Sequence, residues 1–163
     1  MMEGGTLSDQ EWNEICTEIL EKRAKRRALY ILQRMERTEY QLRQKLQENG
    51  YPEDIVQCAI DYVKSFHYVD DYRYACTYIR YHQAEKSRLQ LKMKLYERGV
   101  ASDLIDQALE DEYAGEEEQL IDRLLEKKHY DAETMDQKEK QRIYQYLMRR
   151  GFRSEAIRRR MGI

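Results

Sequence analysis

KLQENGYPEDIVQCAI, from Lys45 to Ile60, returns as KLYERGVASDLIDQAL from Lys94 to Leu109 and again as YLMRRGFRSEAIRRRM from Tyr146 to Met161. The copies place glycines at Gly50, Gly99 and Gly151, spaced 49 and 52 residues apart. A pattern repeated near every fifty residues marks an array of similar units.

Reading back from each glycine, Leu46 and Leu42, Leu95 and Leu91, and Leu147 and Ile143 recur four residues apart, on one face of a helix. Thr38 with Gln41, and Ser87 with Gln90, form the S/T-x-x-Q box that satisfies two orphan amides at a helix start. Glycine then ends the helix in the left-handed conformation. The next residue, Tyr51, Val100 or Phe152, is apolar and packs back on the last turn. Asp54, Asp103 and Glu155 follow, where the positive end of a new helix favours acids. That helix carries Ile55, Val56, Ala59, Ile60 and Val63 on one face, matched by Leu104, Ile105, Ala108 and Leu109. Each copy is a helix, a glycine stop and a second helix.

The chain of 163 residues is 37% charged and 41% hydrophobic, enough for one ordinary domain or three small modules with thin cores. One proline and seven glycines in that length argue for helix throughout. No apolar run approaches a membrane span and the N-terminus lacks an apolar signal core, so a soluble, cytoplasmic protein is expected, with no membrane partner. Three cysteines, Cys16, Cys58 and Cys76, are odd in number and lack C-x-x-C spacing, which suits a reducing compartment. Cys58 falls on an interior-looking face and reads as a small buried hydrophobe.

Residues 1–23 precede the repeats. Ser8 with Glu11 forms a further capping box, and Trp12, Ile15, Ile19 and Leu20 keep helical spacing. This stretch reads as an N-terminal extension helix that docks its Trp12 face on the first module, with the opening MMEGGTL frayed. The first module spans 24–69, its first helix carrying Ala28, Leu32 and Met35. The second spans 70–115, with Ala75 and Ile79 in the places of Ala28 and Leu32. The third spans 116–163, with Leu120, Leu124 and Leu125 inward and Asp136 capping the next helix in a box with Glu139. The fold expected is all-α: a tandem array of three three-helix modules with an N-terminal extension helix, elongated and curved. A monomer is expected, because the repeats supply their own neighbours.

The net charge of −2 conceals segregation. Lys22 to Arg27 holds five positives and no acid, and Asp103 to Glu118 eight acids and no base. From Lys138 to Ile163 nine bases face only Glu139 and Glu155. Such patches say more about partners than the total does.

Two strings carry a resemblance: R-T-x-x-x-L-x-x-K-L-x-x-x-G from Arg37 to Gly50, and K-L-x-x-x-G ending at Gly99, with the Tyr68-Val69-Asp70-Asp71 junction between them. In that order the chain resembles the RecX family of bacterial RecA regulators, most closely over residues 24–111. The resemblance implies tandem three-helix modules that lie along the groove of the RecA filament on single-stranded DNA. It further implies that they modulate recombination and ATP hydrolysis, usually by inhibition, within DNA repair and the SOS response. It implies no catalysis and no cofactor.

The residues themselves offer no enzyme. No nucleophile motif or glycine-rich phosphate loop occurs, and His67, His82 and His129 lack ligand spacing, so neither catalytic residues nor a metal are expected. Asp70 and Asp71 read as an N-cap and a dipole-favoured acid. Tyr74, Tyr78 and Tyr81 share a helix face and suit packing between modules, with base stacking beside Arg80, Lys86 and Arg88 the other reading. The sharper candidates are basic. Arg149, Arg150, Arg153, Arg158 and Arg159 suit phosphates, an acidic partner surface or the chain's own acids between Asp103 and Glu118. Lys86, Arg88, Lys92 and Arg98 form a second cluster, and Arg26 and Arg27 a third. Three function classes remain open: a regulator on the RecA–single-stranded DNA filament, as the resemblance implies, a general helical nucleic-acid module, and a protein scaffold.

Overall fold

The computed structural model describes residues 5–163. Among them are nine helices and no strand: α1 (Asp9–Arg34), α2 (Glu39–Glu48), α3 (Glu53–Ser65), α4 (Asp71–His82), α5 (Arg88–Glu97), α6 (Ser102–Glu112), α7 (Glu117–Lys127), α8 (Gln137–Arg149) and α9 (Ser154–Met161). The all-α arrangement of tandem three-helix groups is the one expected. By packing, the chain divides into two compact units, Met1–Tyr74 and Ala75–Ile163, the division falling inside α4.

In the first unit α1, α2 and α3 enclose Ala24, Ala28, Ile31, Leu42, Leu46, Ile55, Val56, Ala59, Ile60 and Val63. All five residues expected on the inner face of α3 are buried. On α1 the inner stripe is Ala24, Ala28 and Ile31; Leu32 is half-buried, and Met35 is 60% exposed beyond the helix end. The extension proves continuous with the module's first helix. No proline or glycine interrupts Asp9 to Arg34, so one 26-residue helix forms. At 1.5 Å per residue Trp12 sits about 18 Å along the axis from Ala24, so it cannot turn back onto that core. Trp12 is 57% and Ile19 48% exposed, so Trp12 does not dock as expected, while Leu20 of the same stripe packs against the first module's core. Of MMEGGTL, Met1 to Gly4 lie outside the described residues; Gly5 to Leu7 precede the helix and are exposed.

Thr38, fully buried, closes its box with Gln41 in both directions, at 3.1 and 3.2 Å. At the other end of α2, Gly50 adopts φ +86°, the Tyr51 N–H bonds the Leu46 carbonyl at 3.4 Å and the Gly50 N–H bonds the Gln47 carbonyl at 2.9 Å. This is the double hydrogen-bonded stop read from the sequence. A stop of the same form ends α3 without glycine. His67 takes φ 58°, and Tyr68 N–H returns to the Val63 carbonyl at 3.0 Å.

The two acids at 70–71 divide two tasks. Asp70 accepts the Arg73 N–H at 3.0 Å and caps α4. Asp71 instead accepts the Glu39 N–H at 2.9 Å, capping the first turn of α2 thirty-two residues away. Burial raises the Asp71 pKa above its ordinary value, against the lowering effect of that backbone bond. A raised folded-state pKa means that the fold disfavours the ionised form. The resulting cost is present above the folded pKa and disappears as pH falls toward the unfolded one. Asp71→Asn keeps the acceptor without the charge. It is expected to equal or exceed the native chain in stability at pH 7, with any advantage shrinking on acidification. A clear loss at pH 7 in urea unfolding would show that the ionised form is needed.

In the second unit Ser87 and Gln90 form their box, Gly99 adopts φ +82°, and Val100 N–H returns to the Leu95 carbonyl at 3.1 Å. A separate core holds Leu120, Ile121, Leu124 and Leu125 of α7 with Leu147, Phe152, Ile157 and Met161. Asp136 caps α8, accepting the Glu139 N–H at 2.7 Å. The bond runs one way, since a second carboxylate returning toward Asp136 would meet like charge. The fully buried Ser87 also donates its hydroxyl to the Arg150 carbonyl, tying the start of α5 to the α8–α9 turn. Beside it, a Cβ built on Gly151 would lie 2.6 Å from Leu89 Cδ2 and 2.7 Å from Leu89 Cβ. The cysteine expectation is also corrected. Cys76 is buried, whereas Cys58 is half-buried beside Glu21 and Lys25, its thiol pKa pushed up by burial and then by Glu21.

Candidate functional site

The basic residues separate into neutralised and available ones. Arg159 pairs with Glu118 at 2.7 Å and with Glu155 at 3.6 Å, while Arg160 clamps Asp122 and reaches Glu118 at 3.9 Å. Of the readings offered for this cluster, the chain's own acids therefore account for Arg159. It is exposed on α9 but spends its charge on Glu118 of α7. Lys92 is likewise tied to Asp106 at 2.6 Å, and Lys94 to Glu97 at 3.0 Å. These pairs are exposed and contribute little stability each.

Arg149, Arg150, Arg153 and Arg158 form no salt bridge among the described residues. The Arg150 guanidinium lies 4.7 Å from the Tyr146 ring centre, which also carries Lys128 at 4.6 Å. Arg158 lies 5.9 Å from the Tyr144 ring centre, and the Tyr144 hydroxyl meets Ser154 Oγ at 2.6 Å. Arg149 donates from Nε to the Gln145 carbonyl at 3.3 Å, and Arg153 is exposed next to Glu155. Arg150 and Arg158 are thus held over tyrosine faces, which fixes their direction without a salt bridge among the described residues.

In the second cluster Arg88 lies 6.0 Å from the Tyr113 ring centre and Arg98 4.5 Å from that of Tyr78. Lys86 is half-buried near His82, whose pKa is lowered by burial first and by Lys86 and Arg98 after it. Arg26 and Arg27 are exposed on α1, Arg27 being 5.3 Å from the Tyr30 ring centre. The tyrosine stripe divides: Tyr74 and Tyr78 are buried, and Tyr81 is 80% exposed.

What sequence reading missed is the pairing of cations with rings. Tyr146 with Arg150 and Arg27 with Tyr30 stand at helical spacing that could have shown it. Arg158 with Tyr144, Arg88 with Tyr113 and Arg98 with Tyr78 are too far apart in sequence to carry a spacing signal. Among the described residues no three His, Cys, Asp or Glu side chains converge as a ligand set would. No described helix is long and apolar enough to cross a membrane.

The fold and these surfaces can be set beside known proteins. Family models for the first, second and third three-helix domains of RecX match residues 24–62, 70–109 and 116–161, in that order. The Regulatory protein RecX of Caldanaerobacter subterraneus subsp. tengcongensis is 30% identical over 163 residues, covering 99% of this chain and 80% of that protein. Those of Clostridium acetobutylicum and Geobacillus kaustophilus are 31 and 30% identical, and the chain spans 63 and 60% of their lengths. A crystal structure of regulatory protein RecX superposes with a TM-score of 0.78 at 25% identity, covering 96% of this chain and 78% of that one. The structure of RecX from Lactobacillus salivarius shares the fold at 19% identity and a TM-score of 0.70, covering 89% of this chain and 96% of that one.

Proposed function

Because the chain belongs to the RecX family, we propose that it is a non-enzymatic regulator that binds the cytoplasmic RecA–single-stranded DNA filament and inhibits recombination and ATP hydrolysis there. Its relatives carry the name of a regulatory protein. The observation that carries the reading here is three tandem modules, in the regions proposed as 24–69, 70–115 and 116–163, with Arg27, Arg88 and Arg158 among the arginines that form no salt bridge among the described residues. A filament repeats its surface, so a repeated module meets it several times, and modest contacts add through effective concentration.

Among the arginines, Arg153 and Arg158 are the ones to reverse, because Arg159 is already paired. Arg153→Glu with Arg158→Glu is expected to weaken filament binding about tenfold or more and to flatten its salt dependence, as lost phosphate or carboxylate contacts would. Helical content should be unchanged. Arg159→Glu is expected to act on stability instead, by placing a third acid beside Glu118 and Glu155. Phosphate release from preformed filaments tests the inhibitory sense: a fall at saturating protein is expected, and an unchanged rate would contradict it.

A further inference from the structure

The first unit carries an aromatic surface that its core does not need. Phe66 and Tyr68 are 53 and 50% exposed, and their rings lie stacked, 5.6 Å between centres and 20° from parallel. Tyr62 meets Phe66 edge-on at 5.2 Å. With Leu29 and Leu32 of α1 these rings line an open groove of about 590 Å³. The rings are held in place. Tyr68 follows the left-handed His67, and Arg73 donates to the carbonyls of His67 at 2.8 Å and Tyr68 at 3.4 Å while its Nε meets Glu36 at 3.0 Å.

Exposure of the ring after such a stop is not obligatory. At the matching stop after α7, His129 takes φ 51° and Tyr130 turns inward, its hydroxyl donating to the Met161 carbonyl at 2.8 Å. Tyr68 has the same local backbone and stays at the surface.

Charge decides what the groove accepts. Lys22, Lys25, Arg26, Leu29 and Gln33 recur at three- and four-residue steps, so one face of α1 runs from the groove wall into three cations. Lys25 lies 5.0 Å from the Tyr62 ring centre. None of the three forms a salt bridge among the described residues. An apolar partner helix would not need this string of cations, whereas a polyanion with flat apolar faces would. Exposed rings beside a basic track are the elements with which proteins hold single-stranded nucleic acid.

We propose that this groove is a stacking site for single-stranded nucleic acid: bases lie on Phe66 and Tyr68, and the backbone follows Lys22, Lys25 and Arg26. The site concerns the polymer alone, so it can be tested without the recombinase. It goes beyond filament binding, which could proceed through protein contacts only.

Phe66→Trp in the full chain places an indole in the stack, with the native Trp12 as background to be subtracted using the parent protein. Titration with an oligothymidylate is expected to quench the added emission saturably. Phe66→Leu with Tyr68→Leu keeps the apolar surface and removes the rings, and is expected to weaken oligonucleotide binding about tenfold or more. Lys22→Glu with Arg26→Glu should weaken it similarly and reduce the salt slope. Unquenched emission at saturating oligonucleotide, or full affinity in the double leucine variant, would overturn the proposal. The same variants titrated with filaments separate the two ideas. Weakened oligonucleotide binding alongside intact filament binding would support the stacking site and leave the filament reading standing. Lost filament binding alongside full oligonucleotide affinity would assign the groove to protein and overturn the proposal.

Discussion

Gly151→Ala is expected to destabilise the protein by about 2–5 kcal/mol, whereas Gly50→Ala should cost only about 1–2 kcal/mol. Both glycines end a helix at nearly the same angle, φ +88° and +86°. A side chain at either position meets the left-handed penalty. The surroundings differ. Around Gly50 an added Cβ would meet nothing within 4 Å, while at Gly151 it would run into Leu89. The nearest atom, Leu89 Cδ2, could swing away, but Leu89 Cβ at 2.7 Å is fixed to the first turn of α5. That turn is also held by Ser87 donating to the Arg150 carbonyl. Relief therefore means separating α5 from the α8–α9 turn. Urea unfolding of the two variants measures the difference, and Leu89→Ala in the Gly151→Ala background should recover little of it, because alanine keeps the Cβ that makes the fixed contact. Equal losses at the two glycines would remove this contact from the account.

Leu46→Ala should cost about 2–5 kcal/mol, the range for a leucine whose removal leaves a cavity in a packed core. Leu46 has no exposed surface and lies among α1, α2 and α3. It also stands where α2 ends, its carbonyl accepting the Tyr51 N–H. The backbone bond survives the substitution, so the loss measures packing alone. Leu46→Met should cost much less, since volume is kept. A loss below about 1 kcal/mol for alanine would mean that the site collapses freely.

Helix ends were the most legible feature, because capping is local chemistry. Thr38–Gln41, Ser87–Gln90 and Ser8–Glu11 all close their boxes as read. The glycine stops do the same, since a positive φ is written directly in residue type. His67 and His129 perform that task too; each has an apolar residue four positions before it and a tyrosine after it, as Gly50 has, but histidine itself does not announce a positive φ. The inner stripe of α3 was legible because five apolar residues crowd one face. The α1 stripe was misplaced by one position at Leu32, because Ile31, Leu32 and Met35 fit either phase of a helix with apolar residues on two sides. Trp12 misled for a related reason: apolar spacing reports a face, not whether anything lies opposite it.

The candidate interface was legible only as composition. Density of arginine marked the end of the chain as unusual, yet whether each charge is spent depends on acids far off in sequence. Arg159 and Arg158 are neighbours, and one meets Glu118, forty-one residues away, while the other covers Tyr144. Likewise, fourteen tyrosines announced aromatic surface without saying that Tyr74 and Tyr78 would be buried and Tyr68 exposed. Long-range partners of this kind follow from the packing of modules, which no local pattern encodes.

The central claim is that this chain recognises the recombinase filament, and fluorescence anisotropy of the labelled protein tests it most directly. One titration uses preformed RecA–single-stranded DNA filaments at moderate salt, the other the same DNA alone. Tight, saturable binding to filaments, well beyond any affinity for bare DNA, is the result expected. Equal binding to both, or none to the filament, would contradict it.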